Sequence, residues 1–322
     1  MNLIDPSVEL IDIEDPVVKI EKIGRICYKS NSDLSFISSR KFFRQLVERK
    51  HFAMLEHGCV TFKISGLNDG DLDPQLLSIP YLRWTFHNNN CYITASASHL
   101  YSPLAKWHRN ISSMSYIIWQ AMERLFEDCY MNTENPQSAN HCVVFPNIEI
   151  RIIRPEEIEN ATYEDMLIHN TVTFRFVCDR GVSHELVRHR CSVAQESQRY
   201  CNYSKDKFGN EITYIKPYNY DDWSTSDKLT FVTALKNSEA AYQKLVKTLP
   251  PEQARGVLPN ATKTEVVLTM PVYQWKHFIS LRSEGSTGKP HPDMKVLADQ
   301  VAQIMQIPEV PQITNIPESG TV

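Results

Sequence analysis

No two of the eight cysteines form a C-x-x-C pair, which argues against a structural zinc site, and no metal centre is expected. No G-x-G-x-x-G follows a strand-like run, so a Rossmann site for a dinucleotide is not indicated. No stretch approaches the roughly 20 apolar residues of a membrane-spanning helix. The opening MNLIDPSVELIDIEDP is acidic and lacks an apolar h-region, so no signal peptide is expected. Basic charge is not in excess: 34 Lys and Arg stand against 38 Asp and Glu, for a net charge of −4. Whole-chain electrostatics therefore give no reason to expect a nucleic-acid partner, and any phosphate must be held by a local basic cluster. Internal repeats and low-complexity tracts are also missing. These absences fit a cytoplasmic protein in a reducing compartment, with its cysteines as free thiols.

With 322 residues, 42% of them hydrophobic and 22% charged, the chain has an ordinary globular balance and can bury a large core. Apolar spacing predicts short amphipathic helices over 17–28 and 38–50, and longer ones over 111–131 and 225–248. Strands are predicted from His57 to Ile64, from Cys91 to Thr94, from Val172 to Val177 and from Thr262 to Thr269. Further helices are expected over SHELVRHR, EQARGVL, 272–282 and 292–306. The stretch 65–80 reads as a loop, 132–165 as polar and irregular, and the last dozen residues as a loose tail.

The informative segment is 183–204, SHELVRHRCSVAQESQRYCNYS. Arg188, His189, Arg190 and Arg199 fall within twelve residues, with Ser192, Gln195, Ser197, Gln198 and Tyr200 among them. Arginine presents planar, bidentate donors suited to phosphate and carbonyl oxygens, and serine hydroxyls complete such a cradle. The mixture suits a nucleotide phosphate and an electron-rich ring. The plainer alternative is a solvated basic face.

In its wider context the segment resembles the signature of flavin-dependent thymidylate synthases, where R-H-R is followed by a serine and then R-Y. Here these are Arg188-His189-Arg190, Ser197 and Arg199-Tyr200. Leu55-Glu56-His57 is similar to the family's flavin-site histidine ahead of a strand. Ala254-Arg255-Gly256-Val257-Leu258-Pro259 resembles A-R-x-V-L-P, and the run from Trp275 to Arg282 resembles W-x-H-F-x-x-L/M-R. Six residues rather than the family's usual seven separate R-H-R from Ser197. The family's T-x-N-x-R stretch appears as Thr269 to Tyr273, with Pro271 and Tyr273 in place of Asn and Arg.

The resemblance implies an α+β fold, a central, mostly antiparallel sheet with flanking helices. It implies a single catalytic domain over 1–322, with 65–171 inserted relative to short family members. It also implies reductive methylation of dUMP to dTMP, with methylenetetrahydrofolate as carbon donor, FAD as hydride carrier and NADPH as reductant, in a homotetramer whose subunits share sites. Arg282 is the implied catalytic residue, polarising the pyrimidine. Glu185, Arg188, Gln195, Ser197, Gln198, Arg199, Arg255 and Arg282 are the implied dUMP contacts. His57, Arg188, His189, Arg190, Gln195 and His277 are the implied FAD contacts. Cys191 and Cys201 read as small buried residues, because the flavin route needs no enzyme nucleophile. Two alternatives stay open: the same scaffold acting on another pyrimidine nucleotide such as dCMP, or a non-catalytic nucleotide- or RNA-binding descendant.

Overall fold

The computed structural model describes residues 1–67, 70–102, 112–132, 142–145, 147–199, 202–203 and 211–306. The expected tail, Tyr200 and Cys201 lie outside these residues. Strands β1 (Asn2–Ile4) and β2 (Ser7–Leu10) precede helices α1 (Pro16–Tyr28) and α2 (Phe36–Glu48). α1 starts at Asp15, whose carboxylate accepts from the amides of Val17 and Val18. Pro16 occupies the first turn, where a missing N–H is harmless. It ends at Lys29, which takes left-handed backbone with φ of 48° and caps the last turn through its amide. The apolar residues of α1 face two ways. Val17 and Ile20 join a core with Phe42, Phe43 and Leu46 of α2, while Ile23, Ile26 and Cys27 join another with Ala194 and Val267.

After a single helical turn, α3 (Phe52–Leu55), comes a stretch containing β3 (Cys59–Ser65), α4 (Pro74–Leu77), β4 (Arg83–His87), β5 (Asn90–Ser96), α5 (Ala97–Tyr101), α6 (Ser113–Phe126), β6 (Cys142–Phe145) and β7 (Ile148–Ile153). Its strands form a five-stranded antiparallel sheet, ordered β4-β5-β3-β7-β6. The stretch expected to be inserted thus contributes four strands to this sheet, and part of the supposedly irregular 132–165 supplies two of them. The pairing of β7 with β3 and β6 completes what the β-branched runs CVVF and IEIRII favour locally. Trp119, Met122 and Phe126 of α6 share their core with Phe62 and Ile64 of this sheet and with the α1–α2 pair, so one core joins the sheet to the helices.

The remainder comprises α7 (Tyr163–His169), β8 (Thr171–Asp179), α8 (Arg180–Leu186), β9 (Ser192–Gln195), β10 (Thr213–Ile215), α9 (Thr225–Leu245), α10 (Pro251–Ala254), β11 (Lys263–Pro271), α11 (Val272–Ile279) and α12 (Pro292–Met305). A second antiparallel sheet has the order β2-β8-β11-β9, and β1 pairs in parallel with β10. The architecture is α+β with antiparallel sheets, as the sequence implies, but there are two large sheets where one was expected. Strand periodicity gives the second sheet two unlike faces. Phe174 and Phe176 of β8 and Val266 and Leu268 of β11 pack on Trp275, Phe278 and Leu297. Trp275 is fully buried, stands edge-on to Phe174 with ring centroids 4.8 Å apart, and donates its indole N–H to the Val172 carbonyl at 3.1 Å. The opposite face is buried but carries polar groups, among them Thr173, Thr269 and Glu265. Among the described residues, no helix is long and apolar enough to cross a membrane.

Candidate functional site

The helix predicted through R-H-R stops short of it. α8 begins at the Asp179 cap, whose carboxylate accepts from Val182 at 2.9 Å, and ends at Leu186. Arg188, His189 and Arg190 then form a turn, with the amides of Arg188 and His189 bonded to the carbonyls of Glu185 and Leu186. The short link to Ser197 is largely a strand: β9 pairs with β11 from Ser192 opposite Thr269 to Gln195 opposite Val266. Ser192 Oγ also donates to the Glu56 carbonyl at 3.2 Å, which ties the R-H-R segment to the turn that carries His57.

Arg282 lies in the π-helical turn Ser280–Glu284 that continues α11. Its NH1 donates to Glu185 Oε2 at 2.6 Å and its Nε to His189 Nε2 at 3.3 Å. Burial, then the nearby Arg282 and His277, push the His189 pKa down to about 4. The ring is therefore neutral near pH 7, with Nε2 as acceptor, so the ring hydrogen sits on Nδ1. His189 also packs against Phe278, with centroids 5.0 Å apart. The structure thus brings Arg282, Glu185, His189 and His277 together from two segments whose bonded residues stand 93 and 97 apart in sequence.

His57 is not an open contact residue. It is fully buried, its Nδ1 is 2.7 Å from Thr269 Oγ1, and that hydroxyl is 2.8 Å from Thr173 Oγ1. Gly58 permits this placement, since a Cβ there would stand 2.7 Å from Ile20 Cδ1 and 3.0 Å from the Pro16 carbonyl. Burial, reinforced by Lys19, pushes the His57 pKa down to about 3, and its Nε2 is buried without a partner. Through Thr269 it can position a ligand; direct contact would need the packing to open.

Gln195 donates to Ser183 Oγ at 3.0 Å and to Thr264 Oγ1 at 3.4 Å, bracing β9 against α8. The amide of Ser197 bonds to the Cys27 carbonyl, Gln198 is buried with an unpartnered Nε2, and Arg199 is exposed. Just before Ser197, Glu196 is buried with Glu265 in an ion cluster. Lys29 lies 3.3 Å and Lys263 3.2 Å from Glu196 Oε2, both lysines also pair with Glu265, and Arg175 reaches Glu265 Oε2 at 2.7 Å. Burial alone would raise the Glu265 carboxyl; Lys263 and Lys29 overcome it and hold the pKa down at about 2. Arg188 is exposed, and Arg255, half-buried at the end of α10, makes no hydrogen bond with the Arg282 cluster among the described residues. Of the implied dUMP contacts, Glu185 and Arg282 are thus joined directly, whereas the side chains of Arg188 and Arg255 make no hydrogen bond with those two side chains among the described residues.

Arg190 opens on a cavity of about 1100 Å³ between the two sheets, walled in part by Glu56, Thr269, Pro271 and Tyr273. Arg83 of β4 lines it too. The sequence offered no signal for Arg83, nor for Thr173, Glu265 and Lys29, because each gains its role from partners distant in the chain. No group of three or more His, Cys, Asp or Glu among the described residues could hold a metal ion.

Residues 112–311 match the family described as thymidylate synthase complementing protein. That is more than half of the chain, and the chain belongs to this family. The match begins inside the stretch 65–171. Among proteins named flavin-dependent thymidylate synthase, that of Geobacter sulfurreducens is 34% identical over 132 residues, covering 39% of this chain and 54% of that protein. That of Pyrococcus horikoshii is 36% identical over 142 residues, covering 43% and 56%. That of Mycolicibacterium gilvum is 31% identical over 169 residues, covering 44% and 63%. The chain spans about half the length of the first of these relatives. A crystal structure of a UMP/dUMP methylase from Streptomyces cacaoi bound with 5-Br dUMP covers 95% of this chain and 92% of its own at 16% identity, with a TM-score of 0.39. That superposition is too loose to argue from.

Proposed function

We propose that the chain is a flavin-dependent thymidylate synthase that methylates dUMP at C5. On this reading methylenetetrahydrofolate donates the carbon, FAD carries the hydride and NADPH is the reductant. The observation that carries the reading is the Arg282 guanidinium, fixed by Glu185 and a neutral His189. Uracil C5 has to act as a carbon nucleophile, so negative charge must build on the ring, by polarisation or ionisation at N3, before C5 attacks. A preorganised guanidinium at the ring edge stabilises that charge without having to reorient. Two of the five N–H donors of Arg282 are used by Glu185 and His189, which leaves three for a ligand.

Ser197, Gln198 and Arg199 would hold the phosphate and sugar, with Arg255 also reaching the nucleotide. The buried, unpartnered Nε2 of Gln198 is a donor that a bound anion or carbonyl would satisfy. Gln195 would hold β9 and α8 in register beside both ligands. Arg188, Arg190 and His277 would lie on the flavin side. His57 would hold Thr269 in place at the cavity wall.

The residues present fit a flavin. The cavity, about 1100 Å³, reaches the upper end of the size range of ligand pockets, and Ile79, Leu82, Met270 and Pro271 give it apolar walls. Bound FAD would supply the hydride that completes the new methyl group. The reading includes a homotetramer with shared sites, as the family resemblance implies.

The test has two arms. Complementation of a thymidine-requiring bacterium, with tritium release from C5-labelled dUMP and dCMP, reads the activity and the substrate. The absorbance of purified protein after incubation with FAD and desalting reads the cofactor. Growth, release from dUMP alone and a yellow protein are expected. A colourless protein with no FAD affinity at tens of micromolar (about −6 kcal/mol or weaker) overturns the reading.

A further inference from the structure

Arg83 begins β4, opposite Thr94 of β5. Its NH1 donates to the Ile168 carbonyl at 2.8 Å and its NH2 to Thr171 Oγ1 at 2.9 Å, so the α7–β8 junction holds the guanidinium in place. Both acceptors are neutral. No carboxylate forms an ion pair with the half-buried Arg83 among the described residues, and burial lowers its pKa below the ordinary guanidinium value against the opposing influence of Cys59 and Tyr273. A partly desolvated cation without a carboxylate beside it, on the wall of a cavity, suits a ligand that supplies the negative charge.

The cavity that Arg83 lines offers room for that ligand. Arg190 is the other cation on its wall, and Glu56 is the single carboxylate among its described lining residues. Glu56 is itself raised in pKa by burial, towards its neutral form. The balance on the wall is cationic and calls for an anion. Tyr273 lies on the same wall, close enough to Arg83 for the two to interact electrostatically. The T-x-N-x-R pattern noted above has its arginine at that position, so this chain has lost one cation there and has another beside the gap. That other cation, Arg83, lies in the stretch 65–171.

We propose that Arg83 and Arg190 together bind the pyrophosphate of a flavin dinucleotide in this cavity, so that the inserted stretch supplies in the same chain the cation missing at Tyr273. The inference rests on the flavin reading above and adds to it the residue that recognises the phosphates. Arginine suits the task because its planar fork can keep its tethers to the Ile168 carbonyl and the Thr171 hydroxyl and still present donors to a phosphate.

The experiment is a fluorescence titration of the full-length protein with FAD, FMN and riboflavin, without substrate, beside thermal unfolding of each variant. Wild type is expected to bind FAD at least a hundred-fold more tightly than riboflavin. Arg83→Gln should contract that ratio by about ten-fold or more, the scale of one charge-assisted hydrogen bond. Its effect should fall on FAD and leave riboflavin nearly unchanged. Arg83→Lys, which keeps the charge and loses the fork, should contract the ratio by roughly three-fold or more. An unchanged ratio in a folded Arg83→Gln protein overturns the proposal. If that variant does not fold, a ratio in Arg83→Lys within measurement error of wild type overturns it instead. Equal affinity of wild type for FAD and riboflavin also overturns it, while leaving the flavin reading intact. Failure of wild type to bind either flavin removes the flavin reading itself.

Discussion

Glu265→Gln tests the buried ion cluster on which the Ser197 segment rests. The Glu265 side chain is 3% exposed and is shared by Lys29, Lys263 and Arg175. Glutamine keeps the shape and removes the charge, leaving three cations with Glu196 and the more exposed Glu9. The displacement of the Glu265 carboxyl from 4.5 to about 2 corresponds to roughly 3 kcal/mol. Removing one partner of a buried ion pair costs about 3–5 kcal/mol, which agrees. Equilibrium urea unfolding at pH 7, without ligands, should therefore show the variant about 3 kcal/mol less stable. The sign with pH follows from a depressed carboxyl. The contribution is fully present above 4.5 and is lost as the pH falls towards 2, so the gap between variant and wild type should narrow below pH 4.5. A loss under about 1 kcal/mol at pH 7, the range of a surface ion pair, would refute the reasoning.

Trp275→Ala should destabilise by about 3–5 kcal/mol in the same assay, because it empties the centre of the core beneath β8 and β11 and removes a buried donor. His57 has a pKa lowered from 6.5 to about 3, so its stabilising effect is present above pH 6.5 and declines as the pH drops through that window. His57→Gln should flatten the pH dependence of unfolding between pH 6.5 and 5 by up to about 1.4 kcal/mol per pH unit, and identical slopes would show that the imidazole is not held neutral. Ser197→Ala and Arg199→Ala should each weaken dUMP binding about ten- to a hundred-fold while sparing FAD, as calorimetric titration would read; wild-type affinity for dUMP would show the cradle misplaced. Cys191→Ser should retain methylation, since burial and then Glu56 push its thiol up to about 12 and leave no thiolate at neutral pH. Lost turnover in a folded, FAD-binding Cys191→Ser protein would point to a covalent route.

The elements legible in the chain are those whose evidence is local. Ile20, Ile23 and Cys27 repeat at helical spacing, the spacing holds again in α6, and Val172, Phe174 and Phe176 alternate as a strand does. The R-H-R, A-R-x-V-L-P and W-x-H-F motifs are local too, so Arg188 to Arg190, Arg255 and Arg282 could be singled out before any contact was known. Long-range pairing decided the rest. SHELVRHR has helical spacing, but β9 has to lie along β11, and the chain leaves the helix at Leu186 to reach it. The strands β6 and β7 read CVVF and IEIRII, short runs of good strand formers, but they sit inside a longer polar stretch and only their pairing in the sheet picks them out. His57 was legible as a histidine before a strand; its burial and its bond to Thr269 depend on α1 packing over Gly58. Lys29, Glu196, Lys263 and Glu265 come from three separate segments, and Arg83 faces Arg190's cavity from more than a hundred residues away. Periodicity and motif are properties of neighbouring residues, whereas burial, charge pairing and the shape of a cavity are set by which distant segments meet, and only the tertiary structure decides that.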